Sequence, residues 1–133
     1  MSEPILAVHG LSAISQRDRI SILHDVSLTV ERGETRGLVG ESGAGKTTIG
    51  KAILGILPRA IRVTGGKIRF DGQDLLTMPE ASLRRLVGER IALIPQDPMT
   101  ALNPGRRIEG QLTDGLRLWR GLDSGAARKI ALN

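Results

Sequence analysis

Eight consecutive residues, Gly40-Glu41-Ser42-Gly43-Ala44-Gly45-Lys46-Thr47, have the types and spacing to do chemistry. They fit GxxxxGK[ST], the phosphate-binding loop, in the setting that pattern needs: the apolar Gly37-Leu38-Val39 before it reads as strand, and Thr48 onward reads as helix. Gly40, Gly43 and Gly45 allow a tight turn in which backbone N–H groups, those of Glu41, Ser42, Ala44 and Thr48 included, approach phosphate oxygens. The helix that follows presents unpaired N–H groups and the positive end of its dipole to an anion. Lys46 can then reach the β and γ phosphates, and the Thr47 hydroxyl can take one position in an octahedral Mg²⁺ shell. This chemistry calls for a nucleoside triphosphate with magnesium.

The same residues admit two other readings. A chance glycine-rich turn does not explain why strand and helix signals flank the loop in the required order. The nucleophile elbow GxSxG is approached by Gly40-Glu41-Ser42-Gly43-Ala44, but Ala44 replaces the last glycine, and both histidines, His9 and His24, precede the serine instead of following it. Ser42 is a loop residue.

The elements that must position this loop can be read along the chain. Residues Ile5 to Ile14 and Ile20 to Val30 read as antiparallel strands joined by the polar turn Ser15 to Arg19, with Ile22, His24, Val26, Leu28 and Val30 on one face of the second. The run Thr35 to Val39 reads as a buried parallel strand delivering the loop. The helix from Gly45 turns Ile49, Ala52, Ile53 and Ile56 to the sheet, and Pro58 is expected to stop it. Arg59 to Gly66 reads as a loop closed by a glycine pair, followed by a short strand Lys67 to Phe70 and the turn Asp71-Gly72. Thr77-Met78-Pro79-Glu80 has the form of a capping box, which predicts a helix from about Met78 to Val87. Ile91 to Ile94 reads as another buried strand. From Arg106 to Arg120 an amphipathic helix carries Ile108, Leu112, Leu116 and Trp119, and Asp123-Ser124 caps a last helix from Ala126 to Leu132.

Composition narrows the classes of function. The 133 residues contain no cysteine, which removes disulfides, thiolate metal sites and cysteine catalysis. Neither a leader-like N-terminus nor a run of spanning length is present, so a soluble, unexported chain is expected. Nineteen Lys and Arg against fourteen Asp and Glu make the chain basic, but the arginines are dispersed and aromatics make up only 2%, so no nucleic-acid surface is expected.

The phosphate loop, followed some fifty residues later by a strand ending in Gln96, resembles the ATP-binding subunits of ABC transporters. The wider text is more particular: GLVGESGAGKTT, AILGILP, GGKIRFDGQDLL and IALIPQDPMTALNP look like the importers of dipeptides, oligopeptides and nickel. The resemblance implies an α/β fold of the P-loop NTPase, ABC type: an antiparallel β lobe plus the first part of a RecA-like parallel core. Residues 1–133 then form the N-terminal part of one nucleotide-binding domain. It also implies ATP and Mg²⁺ as cofactors, Lys46 and Gln96 as catalytic residues, and Thr47 and Gln96 as the metal-side residues. Its implied partners are transmembrane permease subunits, met through the segment Asp97 to Pro104, and a second ATPase subunit, identical or not. Its implied location is the cytoplasmic face of the cell membrane, as a peripheral subunit. No aromatic stands in Leu11 to Ser15, where members of the family often stack adenine. The sequence ends before the family's signature motif LSGGQ, its Walker B carboxylates and its switch histidine, so these residues alone are expected to bind nucleotide weakly and to hydrolyse it negligibly. A non-catalytic fragment or regulator of such an ATPase is the alternative from another class, and the head of a DNA-repair ATPase is a third.

Overall fold

Two ten-residue runs rich in Val, Ile and Leu pair to begin the sheet. The structure, a computed structural model, describes residues 3–97 and 101–132. In it β1 (Leu6–Ser15) lies antiparallel to β2 (Ser21–Val30) on one side and to β3 (Ile61–Phe70) on the other. The two-residue β4 (Gln73–Asp74) completes the order β2-β1-β3-β4. Asp71 and Gly72, both with positive φ (50° and 78°), make the tight β3–β4 hairpin, a backbone shape that suits the right-handed twist of the strands. An ion pair between Arg32 and Asp71 ties the segment after β2 to that turn.

The sheet is not a simple alternation. Val8 pairs with Leu28, but Leu11 pairs with Val26, so β1 carries an extra residue around Gly10, whose φ is 60°. Opposite Gly10, Gly66 lies so close that a Cβ there would stand 2.6 Å from the Gly10 carbonyl oxygen and from the Leu11 Cα. The glycine pair Gly65-Gly66, expected to close a loop, therefore sits inside β3. Its bare backbone is what lets β3 pass the bulge and reach ten residues. The buried side of the sheet gathers Val8, Leu11, Ala13, Leu23, Ile68 and Phe70. Burying a side chain of the Val8, Leu11 or Ile68 kind contributes about 1.5–3 kcal/mol.

Helix α1 (Lys46–Ile53) lies against β2 and buries Ile49 and Ala52. Pro58 does not end it. Leu54 is the C-cap and Gly55, at φ 67°, takes the left-handed position. Gly55 N–H donates to the Ala52 carbonyl (3.1 Å) and Ile56 N–H to that of Lys51 (2.9 Å), the paired bonds of a Schellman turn, which leave Ile56 half-exposed outside the helix.

Contacts divide the chain into a unit up to Leu83 and a unit from Arg84 onward, with α2 (Glu80–Arg90) running through the boundary. In the second unit α3 (Ile108–Arg120) packs on α4 (Ser124–Ala131). Asp123 caps α4 as expected, its carboxylate accepting from Gly125 N–H and Ala126 N–H. The expected core face of α3 is only partly covered: Thr113 is buried and Trp119 half-buried, but Ile108 and Leu112 are exposed.

The two expected parallel strands are absent among the described residues. Thr35 to Val39 and Ile91 to Ile94 have no regular secondary structure, with Val39 93% and Ile94 92% exposed. An extended run becomes a strand only when a neighbour pairs with its N–H and C=O groups, and neither run has one here.

Candidate functional site

Residues Gly40 to Thr48 lie together at the start of α1, all in the first unit. The loop reverses in a turn closed by Ala44 N–H donating to the Glu41 carbonyl (3.2 Å). It then enters the helix through Gly45, whose carbonyl accepts the first helical bond, from Ile49 N–H (3.0 Å). Gly43 and Gly45 hold φ of 85° and 86°, a left-handed conformation that a side chain disfavours. The need for glycine therefore comes from the backbone itself. At Gly43 a Cβ would meet nothing within 4 Å.

Lys46 is half-buried and curls back over the loop. Its ammonium donates to the carbonyl oxygens of Gly40 (2.7 Å) and Glu41 (2.6 Å), so its charge stands at the mouth of the turn. No side chain caps the N-terminus of α1 and no acidic residue lies in its first turn. The donors that a capping Ser or Asp would normally use thus face the same mouth as Lys46. Thr47 is exposed there and Thr48 half-buried. The open position at Gly43, uncapped helix donors and one ammonium make a cradle that fits a polyphosphate. It also fits an Mg²⁺ ion arriving on those phosphates, for which Thr47 offers a hydroxyl; among the described residues no group of three or more His, Asp or Glu would hold a metal alone.

Gln96 belongs to the second unit, where it is an exposed bend residue after Pro95. Of the segment Asp97 to Pro104, residues 98–100 lie outside the described residues. The remainder is more ordered than its sequence suggests. Gln111 on α3 accepts from Asn103 N–H (2.7 Å) and donates to the carbonyls of Asn103 (3.0 Å) and Arg106 (3.1 Å), clamping the turn that precedes the helix. Sequence reasoning missed Gln111. Its signal would have been an amide eight residues after an Asn in a Pro-Gly turn, which is weak until the helix places them together. A pocket of about 270 Å³ lined by Ala52, Gly55, Val63, Leu75 and Leu83, among others, contains none of the predicted site residues.

Against this geometry stands the comparison with known proteins. The family described as ABC transporter matches residues 23–131, which takes in the loop, Gln96 and all four helices. The chain belongs to the ABC transporter family. Its fold is the P-loop NTPase domain of that family, seen here, among the described residues, as an antiparallel sheet with four helices. Three relatives illustrate the range. An uncharacterised ABC transporter ATP-binding protein, YejF of Escherichia coli (strain K12), is 41% identical over all of this chain and 26% of its own length. The oligopeptide transport ATP-binding protein OppD of Salmonella typhimurium (strain LT2) is 41% identical over 81% of this chain and 32% of its own. The peptide transport system ATP-binding protein SapD of the same organism is 45% identical over 87% of this chain and 36% of its own. The chain thus spans between a quarter and two-fifths of the length of these relatives. Among the described residues no helix is long and apolar enough to cross a membrane.

Proposed function

We propose that this chain carries the phosphate-binding part of an ATPase that drives an ABC importer, with peptides as the transported solute. The observation that carries the reading is the Lys46 ammonium held on the Gly40 and Glu41 carbonyls at the uncapped start of α1, within a chain of this family. The solute class rests on relatives named for peptide and oligopeptide transport, and nickel is kept second on the sequence resemblance alone.

Each residue has a role in that reading. The N–H groups of the loop and of the first turn of α1 bind phosphate oxygens, and the glycines admit them without a Cβ in the way. Lys46 exchanges its two carbonyl partners for phosphate oxygens and spreads positive charge over the group to be transferred. The Thr47 hydroxyl would hold a phosphate-bound metal, which would supply charge neutralisation. Gln96 orients water and passes the state of the site to a membrane subunit through the segment after it, where Gln111 keeps the turn at 103–106 in shape. A second ATPase subunit would complete the site, placing the assembly on the cytoplasmic face of the membrane.

Calorimetric titration of the chain with Mg·ATP tests this. Weak, magnesium-dependent binding that Lys46→Ala removes is the expected result. Binding unchanged by Lys46→Ala, or none by the unaltered chain, would refute the assignment.

A further inference from the structure

The phosphate loop is not held by its own residues alone. Gly45, the last residue before α1, is packed against β2: a Cβ placed on it would stand 2.6 Å from Cδ2 of Leu23 and 3.1 Å from the carbonyl oxygen of Ile22. Leu23 is only 3% exposed. Its inward direction comes from an irregularity in the sheet. Leu11 and Ala13, two apart on β1, face Val26 and Leu23, three apart on β2, so β2 carries one extra residue there. Asp25 takes the strain with φ 50°, and its N–H is held by the Ser12 hydroxyl oxygen at 3.0 Å. The extra residue reverses the phase of the strand. Where the alternation of Val26, Leu28 and Val30 would turn His24 inward, His24 is exposed and Leu23 is buried.

We infer that Leu23 is a positioning residue for the phosphate site, a brace on β2 that holds Gly45 in its left-handed conformation and so sets where the backbone donors and Lys46 point. This rests on reading residues 40–48 as the phosphate site. Leu23 touches no ligand in this scheme. It acts through the glycine, by keeping the loop in the one shape that can bind. Removing it lets the loop sample other shapes, and apparent affinity falls in proportion to the fraction left competent.

The test is calorimetric titration of the full chain with Mg·ATP and with magnesium tripolyphosphate, at a temperature where circular dichroism shows every variant folded. Leu23→Ala is expected to weaken both ligands about tenfold, as for a loop competent about a tenth of the time. Leu23→Met, which refills the space, restores affinity to within about twofold on the same argument. Ile68→Ala empties an equally buried position of the same sheet, on β3, and serves as the control; its affinity stays at that of the unaltered chain although its stability falls. If either alanine variant fails to fold, Leu23→Val against Ile68→Val makes the same comparison with one methylene each. Unaltered affinity in the folded Leu23 variants, or an equal loss in the core control, would overturn the brace. If the unaltered chain binds neither ligand, the assignment of the site fails instead. The brace is then read from amide exchange at Gly45 and Lys46, which quickens in Leu23→Ala if the inference holds and stays unchanged if it does not.

Discussion

Replacing Gly45 by alanine separates the two reasons a glycine is needed there. The first is conformational: at φ 86° an L-residue pays about 1–2 kcal/mol for left-handed backbone. The second is spatial, because the new Cβ would stand 2.6 Å from Leu23 Cδ2 and 3.1 Å from the Ile22 carbonyl. Forcing a methyl into packed surroundings costs about 1–3 kcal/mol more. Gly43 is an internal control. Its φ is 85°, so Gly43→Ala carries the same backbone penalty, but a Cβ there meets nothing within 4 Å. Urea unfolding followed by circular dichroism should place Gly43→Ala about 1–2 kcal/mol below the unaltered chain and Gly45→Ala about 2–5 kcal/mol below it. With a urea slope of about 1–3 kcal/mol per molar, the Gly45 variant should unfold at least about 0.7 M earlier. Against a total stability of about 5–15 kcal/mol that loss is large. Equal midpoints for the two variants would refute the packing of β2 on the loop, since only that contact distinguishes them.

Other expectations are simpler to check. In the second unit Gly88 lies beneath the ring of Trp119, where a Cβ would stand 2.5 Å from Cε2 and Nε1. Alanine ordinarily improves a helix interior by about 0.5–1 kcal/mol over glycine, but Gly88→Ala should destabilise and shift the emission of the single tryptophan to the red. Unchanged emission would contradict the contact. Asp18, in the β1–β2 turn, is held below its ordinary value of 3.8 by a hydrogen bond from the Ser15 side chain and then one from Ile20 N–H, which outweigh desolvation. A lowered folded pKa means that its contribution is present above the unfolded value and is lost as pH falls through the folded one. Carboxyl NMR should show Asp18 titrating below 3.8, and Ser15→Ala should move it back up.

Much of the site was legible because its signals are local. Glycines at three fixed places, a lysine and a threonine lie within eight residues, and each has its meaning from backbone freedom, charge or a hydroxyl without a distant partner. The same holds for the Asp123 cap and the Asp71-Gly72 turn, whose bonds and dihedrals involve residues a few positions apart. Gly55 was legible too, as a left-handed C-terminal residue after an apolar helix face, but Pro58 three residues later drew the boundary away from it.

The sequence by itself therefore determined that a glycine-rich turn leads into a helix at residues 40–48, with a lysine at the first helical position, and that an antiparallel pair precedes it. Tertiary structure decided the rest, because each remaining feature depends on a partner far along the chain. Gly10 and Gly66 are bulge and close approach only once β1 and β3 pair. Leu23, not His24, turns inward only because one residue of β2 is left over opposite Leu11 and Ala13. Thr35 to Val39 and Ile91 to Ile94 have the apolar runs of buried strands, yet stay irregular and exposed, since hydrophobicity selects a segment for burial but a neighbouring backbone must make it a strand.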